Sequence, residues 1–314
     1  MQTQQDDFDE SRMFATSAVQ SHSRRNPHTS MPEPVGNPLA KYFRTPGVHV
    51  KLPTNGVFMP PGSVEFTMNG EVAVYPMRGA DEMLLKSPDA LMSGYAVEEL
   101  IKSCVPAIQM PRLLSSPDLD VLLLAIRAAT YGEVMPFSPV CPSCGVVNTV
   151  HRNLSFLLTN MQPIERDNTI RLNDEVIVYV RPHNLDNVTR IGVASFEEAR
   201  RLQAMEHSED SAEDKAQQIN QSMKRISDLT TQAMTDCVLK VVVPGAEVVA
   251  PHQIAEFLLN ISKAWTDAIQ KKLDELNSKG IEKHYDVVCS ECAHEWSAEI
   301  EFNPSTFFAA GSSA

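Results

Sequence analysis

The sequence predicts an α+β fold: a small antiparallel sheet with helices, a four-cysteine zinc ribbon closed by the two chain halves, and an inserted helical subdomain. Three observations predict it. Two Cys-x-x-Cys knuckles, Cys141-Pro-Ser-Cys144 and Cys289-Ser-Glu-Cys292, stand far apart in the chain. Period-two apolar alternation with turn signals precedes the first knuckle and borders both. Between them lies a long stretch in which apolar residues recur every three or four positions. The implied organisation is an arm over residues 1–47, a core of 48–183 with 281–314 that carries the ribbon, and a helical insertion over 184–280.

The arm is rich in Gln, Ser, Pro, Asp and Asn and poor in branched aliphatics. Such a composition buries too little surface to offset the entropy of ordering, so the arm is predicted to be disordered or bound to a partner. From there Val48, Val50 and Leu52 alternate, Val64, Phe66 and Met68 alternate up to Asn69-Gly70, and Val72 and Val74 follow. The Asn-Gly pair is a hairpin signal, which predicts a small antiparallel sheet. Ser87-Pro88-Asp89 and Ser116-Pro117-Asp118 both read as helix starts: serine caps the free amides, proline fits the first helical position, and aspartate meets the positive end of the dipole. The first helix is expected to run to Cys104 with a break at Gly94, and the second to end near Gly132. Strands are predicted at Val146–His151 and Thr169–Arg181. Two long amphipathic helices are predicted next, one through Ile219, Met223, Ile226, Thr230, Ala233, Cys237 and Val241, the other from Ile254 to Leu276, joined by Pro244 to Pro251. The chain returns as a strand at His284–Val288, passes through the second knuckle, and leaves as a strand at Trp296–Phe302.

Four soft thiolates in two i, i+3 pairs suit a structural zinc ion, which asks for a tetrahedral sulfur shell. Cys141, Cys144, Cys289 and Cys292 are therefore the candidate metal ligands. A disulfide framework would be thin, since the chain has six cysteines in 314 residues. A closed four-thiolate shell leaves no position for water, so the zinc supplies folding energy and not Lewis-acid chemistry. His151 and His294 lie near the knuckles and are read as bystanders. Neither motif is followed by the helix that a thioredoxin-like redox site requires. Cys104 and Cys237 fall on apolar helix faces and are read as core, as is Trp265, while Trp296 is expected to pack over the zinc loops. Asp118 with Asp120, and Glu197 with Glu198, are read as carboxylates drawn to helix starts. No Gly-rich phosphate loop, nucleophile elbow or His-Glu-x-x-His run is present, and no catalytic residue is assigned.

The net charge of −13 argues against a nucleic-acid partner, because phosphate binding needs clustered Lys and Arg. No apolar run is long enough to span a bilayer. Met1 to Glu10 does not read as a secretory signal.

Val50-Lys51-Leu52-Pro53-Thr54-Asn55-Gly56, the run Val74 to Glu82, Ile101-Lys102-Ser103-Cys104-Val105, Asp120 to Gly132, and the ending Ile300 to Phe308 follow one another in this order. In these stretches the chain resembles the T-even (T-four type) bacteriophage baseplate hub protein family. The resemblance covers residues 48–180 and the carboxy-terminal end, and rests on the order of these stretches. It implies a non-enzymatic structural or assembly role in a contractile-tail baseplate, with other baseplate or tail proteins as partners. It further implies several copies in a symmetric assembly, and a place in the virion tail after assembly in the host cytoplasm. On that basis the arm and Phe307-Phe308 would be docking elements; the pair could equally cover the ribbon's own core. The alternative from another class is a zinc-ribbon adaptor binding a cellular protein or nucleic acid, and a metal-dependent or thiol enzyme is a third.

Overall fold

The computed structural model describes residues 37, 39–164, 168–206, 211–300 and 307–308. Nearly all of the arm expectation therefore lies outside the described residues. Within its described part, Ala40–Tyr42 forms one turn of 3-10 helix.

From Arg44 onward the chain forms one compact unit of helices and small antiparallel sheets. Strands β1 (Val48–Val50) and β2 (Val72–Val74) pair with each other, Val48 opposite Val74. The alternating stretch Val64–Met68 was expected to supply a strand here and does not. Only Val64 bridges, to Ile108, and the side chains of Phe66 and Met68 are exposed. Alternation makes a strand only where one face can be buried, and this loop has no such face.

Helices α1 (Gly79–Leu85), α2 (Pro88–Met92) and α3 (Tyr95–Cys104) follow. The predicted break falls at Gly94, whose φ of +71° turns the chain between α2 and α3. A Cβ there would also lie 2.5 Å from Thr189 Oγ1, so the position demands glycine on two counts. Helix α4 (Ser116–Tyr131) is the central beam. Its cap is Ser115, one residue earlier than the sequence suggested; the Ser115 hydroxyl accepts from the Asp118 amide. Leu122, Leu123, Leu124 and Ile126 are all buried, so α4 is enclosed on most of its circumference. At about 1.5–3 kcal/mol for each large apolar side chain buried, this helix anchors the main core.

Strands β3 (Val134–Phe137) and β4 (Val150–Asn153) form a hairpin whose loop contains the first knuckle. After α5 (Leu154–Thr159), the predicted single strand Thr169–Arg181 proves to be two, β5 (Thr169–Arg171) and β6 (Ile177–Val180). Asn173 makes the turn, its side-chain oxygen accepting from the amides of Glu175 and Val176.

The stretch expected to be wholly helical contains α6 (Leu185–Glu206) and α7 (Ala212–Cys237), then strands β7 (Val238–Val243) and β8 (Ala246–Val248), then α8 (Pro251–Asn260) and α9 (Lys263–Ser278). Two corrections follow. The helix stops at Cys237, because the valine-rich stretch after it forms β7, in which Val238, Val241 and Val242 pair with β6 and Val243 with β8, giving a four-stranded sheet in the order β5-β6-β7-β8. The predicted second helix is two, interrupted at Ile261-Ser262. Trp265 is half-buried against Phe257 instead of lying in the core.

Strands β9 (His284–Val288) and β10 (Glu295–Glu299) form the last hairpin, with the second knuckle at its turn. Tyr285, Val287, Ala298 and Ile300 of this hairpin pack against Phe137, Val150 and Leu157, so the two knuckle-bearing hairpins face each other. Phe307 and Phe308 are each 2% exposed and lie in the main core with α4. This corrects the two expectations for the pair: buried in the main core, it is neither a docking element nor a cover for the ribbon. The burial of Phe307 also supplies a backbone carbonyl that accepts from the Arg127 guanidinium, itself enclosed in the core.

Candidate metal centre

The two knuckles have the same backbone design. In the first, the Cys141 amide donates to the Val146 carbonyl and the Gly145 amide donates to the Cys141 carbonyl, both at 2.9 Å. In the second, the Cys289 amide donates to the His294 carbonyl at 2.9 Å and the Ala293 amide to the Cys289 carbonyl at 3.1 Å. Gly145 (φ +74°) and Ala293 (φ +57°) occupy the same left-handed place in the turn. The β3–β4 hairpin, closed near its tip by a Val140–Val147 bridge, presents one pair of sulfurs. The β9–β10 hairpin presents the other.

Packing of the two hairpins brings the pairs together. Cys141 Sγ lies 3.7 Å from Cys292 Sγ and Cys144 Sγ lies 3.6 Å from Cys289 Sγ; all four sulfurs fall within 4.8 Å of one another. These separations are far longer than a disulfide bond of about 2.05 Å. They suit a tetrahedron whose edge, for zinc–sulfur bonds of about 2.3 Å, is about 3.8 Å. Among the described residues this is the one convergence of histidine, cysteine and carboxylate groups at metal-binding distance. The His294 ring stacks on Trp296, 6.2 Å between centroids, and is not among the clustered ligands, and His151 sits at an exposed position of β4.

The thiols are electrostatically poised for a cation. The amides of Cys292 and Glu291 donate to Cys289 Sγ and hold its pKa down to about 6. At Cys144 the Val146 amide favours the thiolate, but sharing the site with Cys292, Cys289 and Cys141 pushes the pKa up to about 12. Four sulfurs this close cannot all ionise unless a positive charge lies among them.

Asn148, which the sequence analysis missed, locks the hairpins at this point. Buried at 6% exposure, it accepts from the Ser290 amide at 2.9 Å and donates to the Val146 carbonyl at 3.1 Å and toward Cys289 Sγ at 3.8 Å. A single asparagine in a polar loop carries no signal of this task in one sequence. The other two cysteines behave as core. Burial pushes Cys104 up to about 11 and Cys237 up to about 12. Cys237 lies 3.1 Å from His183 Nδ1, and burial holds that histidine below its ordinary pKa. A buried thiol beside a neutral imidazole is a poor nucleophile.

Two carboxylates assigned to helix dipoles have other roles. Asp118 is fully buried and accepts from the amide (2.9 Å) and hydroxyl (2.5 Å) of Thr54, with burial raising its pKa. Glu198 is buried between α6 and α7 under Arg225.

Both knuckles fall inside a family match. The model described as T4 bacteriophage base plate protein matches residues 64–309, well over half of the chain. The chain belongs to the T4-type baseplate protein family. The resemblance carried by Val74–Glu82 and Asp120–Gly132 was thus a true one, and the baseplate assignment places the protein in the phage tail. No curated protein and no solved structure matches this baseplate protein. No described helix is long and apolar enough to cross a membrane.

Proposed function

We propose that the chain is a non-enzymatic structural or assembly component of the hub or wedge region of a contractile-tail baseplate, held by one structural zinc ion on Cys141, Cys144, Cys289 and Cys292. The observation that carries this is the meeting of four sulfurs at tetrahedral spacing within the stretch matched to the baseplate family. Zinc in such a shell fixes backbone and activates no water. Its task here is to clamp the β3–β4 hairpin to the β9–β10 hairpin across the helix-rich residues 184–280. The arm, residues 1–47, and the surface of the core, 48–183 with 281–314, are the parts offered to other baseplate and tail proteins, in several copies. Neither nucleic acid nor membrane is a partner on this reading.

The test combines metal analysis with particle composition. Purified protein should hold one zinc per chain, and the chain should be found in purified particles or be required for baseplates to form. Metal-free protein of undiminished stability sinks the zinc clamp. Normal baseplates in its absence sink the structural role.

A further inference from the structure

The two knuckle-bearing hairpins leave a cavity of about 330 Å³ along their seam, between β4 and α5 on one side and β9 on the other. That is the lower end of the size range of small-ligand and side-chain pockets. Its apolar wall is made by Leu157, Tyr285 and Ile300, which belong to the ribbon's own small core. Phe156 of α5 also lines it, yet is 67% exposed, so apolar surface runs out of the cavity onto the outside of the protein.

Arg152 of β4 brings a positive charge to this cavity, and nothing in the protein answers it. The side chain is half-buried, and its guanidinium carbon lies 4.5 Å from the centre of the Tyr285 ring. Its Nε is buried with no hydrogen-bond partner, and its Nη2 makes only a long contact, 3.5 Å, to the Asp286 carbonyl. None of the described carboxylates lies within ion-pair distance of it. A guanidinium drawn out of water without a counter-charge carries an unmet cost, which an incoming carboxylate offsets through charge-assisted hydrogen bonds.

The remaining polar groups limit what that anion can be. Glu282 lines the same cavity, where it accepts from the His284 amide at 3.0 Å and lies 3.6 Å from His284 Nδ1. A doubly charged anion would be repelled by Glu282, whereas a single carboxylate can pair with Arg152. The chain's net charge of −13 does not forbid this, because salt screens charges beyond about 10 Å and the contact at Arg152 is local. The ligand therefore has one carboxylate and an aromatic or branched apolar body that fills the wall of Leu157, Tyr285 and Ile300. A free acid small enough to enter leaves the Phe156 ring bare, while a peptide covers both the cavity and that ring. We propose that this seam cavity is the docking site for a segment of a neighbouring baseplate protein that presents an aromatic side chain beside a single carboxylate. The identity of the neighbour rests on the baseplate role proposed above.

The test titrates the full-length, zinc-loaded protein and follows its backbone amide signals. The probes are the blocked tetrapeptide glycine-phenylalanine-glutamate-glycine, its counterparts with glutamine for glutamate and with alanine for phenylalanine, and hydrocinnamate as the free acid. The first peptide should shift amides of β4, α5 and β9 and bind about tenfold more tightly than its two counterparts, and more tightly than hydrocinnamate. Arg152→Gln should weaken it about tenfold at unchanged zinc content, while Arg171→Gln, at an exposed position of β5, should leave it unaltered. If Arg152→Gln does not fold, Phe156→Ser, at a ring already exposed, gives the same readout. No saturable shift, shifts confined to other parts of the protein, equal affinity for the glutamine peptide, or undiminished binding by Arg152→Gln overturns the proposal. So does hydrocinnamate binding as tightly as the peptide, which would make the ligand a free acid. Particle composition is measured independently of these titrations, so the docking site and the baseplate role fail separately.

Discussion

The knuckles differ at one backbone position, and that difference predicts opposite outcomes for two single substitutions. Gly145 and Ala293 hold equivalent left-handed places, at φ +74° and +57°. A residue with a Cβ pays about 1–2 kcal/mol to sit there, whereas glycine does not. Replacing Ala293 by glycine relieves that strain but loosens the unfolded chain by about 0.4–1 kcal/mol, for a net gain of about 0.5–1 kcal/mol. In a chain of this length that is a rise in Tm of about 1–4 °C. Gly145→Ala should lose a similar amount. Its added Cβ would meet no atom within 4 Å, so the loss is purely one of backbone conformation. Thermal unfolding of both variants in zinc-containing buffer, together with the rate of zinc transfer to a chromophoric chelator, measures the effect. The Ala293 variant should be the more stable and the slower to release metal. A destabilised Ala293→Gly, or a Gly145→Ala as stable as wild type, refutes the equivalence of the two turns.

Other outcomes follow from the same structure. Cys289→Ser should lose bound zinc while Cys104→Ser, on the buried face of α3, keeps it; metal analysis of both decides whether the clustered thiols are the ligands. Phe307→Ala should cost about 3–5 kcal/mol in denaturant unfolding, as for other fully buried aromatics. Deleting residues 307–314 should cost more, since it also removes the buried Phe308 ring and the carbonyl that accepts from the buried Arg127, so equal losses would discount both contacts. Burial raises the Asp81 pKa, but hydrogen bonds from Arg78 and Ser103 outweigh it and leave the carboxyl below its ordinary value. Its folded pKa is thus lower than its unfolded one, so it stabilises the protein above the ordinary carboxylate range and ceases to do so as the pH falls through the folded value. Asp81→Asn should lower stability at neutral pH by about 1–2 kcal/mol, a discounted figure because Arg78 is largely exposed, and should flatten the acid limb of the stability profile. An acid limb identical to that of wild type removes Asp81 from the account.

What was legible in the sequence was what local chemistry decides. Ser87-Pro88-Asp89 and the Ser115–Asp118 stretch specify helix starts because the capping groups lie within one turn of the amides they satisfy. Gly94 announces its break because no other residue takes that conformation cheaply. The cysteine pairs are legible because four thiolates at two tight spacings have few other uses. Tertiary pairing was not legible. Val241-Val242-Val243 continues a helical period from α7 and is equally good strand, and only the presence of β6 beside it decides in favour of the sheet. Phe66 and Met68 alternate as a strand would, yet Met68 is fully exposed and Phe66 remains more than a third exposed. Asn148, Asp118 and Glu198 have ordinary local contexts, and their roles depend on Ser290, Thr54 and Arg225, remote in sequence and adjacent only after folding.

The metal site is one of several closures of the chain, and this limits what zinc can be doing. Helix α4 holds three distant segments by polar contacts, two of them buried and one half-buried: Thr54 on Asp118 and the Phe307 carbonyl on Arg127, and Lys283 on Asp120 at 2.6 Å. Ile281, Phe307 and Phe308 add apolar contacts to the same core. The carboxy-terminal segment is therefore fastened to α4 on both sides of the second knuckle without help from the sulfurs. By contrast the β9–β10 hairpin has its own small core of Tyr285, Val287, Ala298 and Ile300, too little to hold two strands firmly against two others. Zinc should then stabilise the ribbon locally and leave the helical core standing when it is withdrawn. Hydrogen exchange on chelator-treated protein checks this. The amides of β9, β10 and both knuckles should lose protection while those of α4 keep theirs. Simultaneous loss of protection in α4 would mean that the ion holds the whole fold together and that the contacts at Asp118, Asp120 and Arg127 are too weak to do so alone.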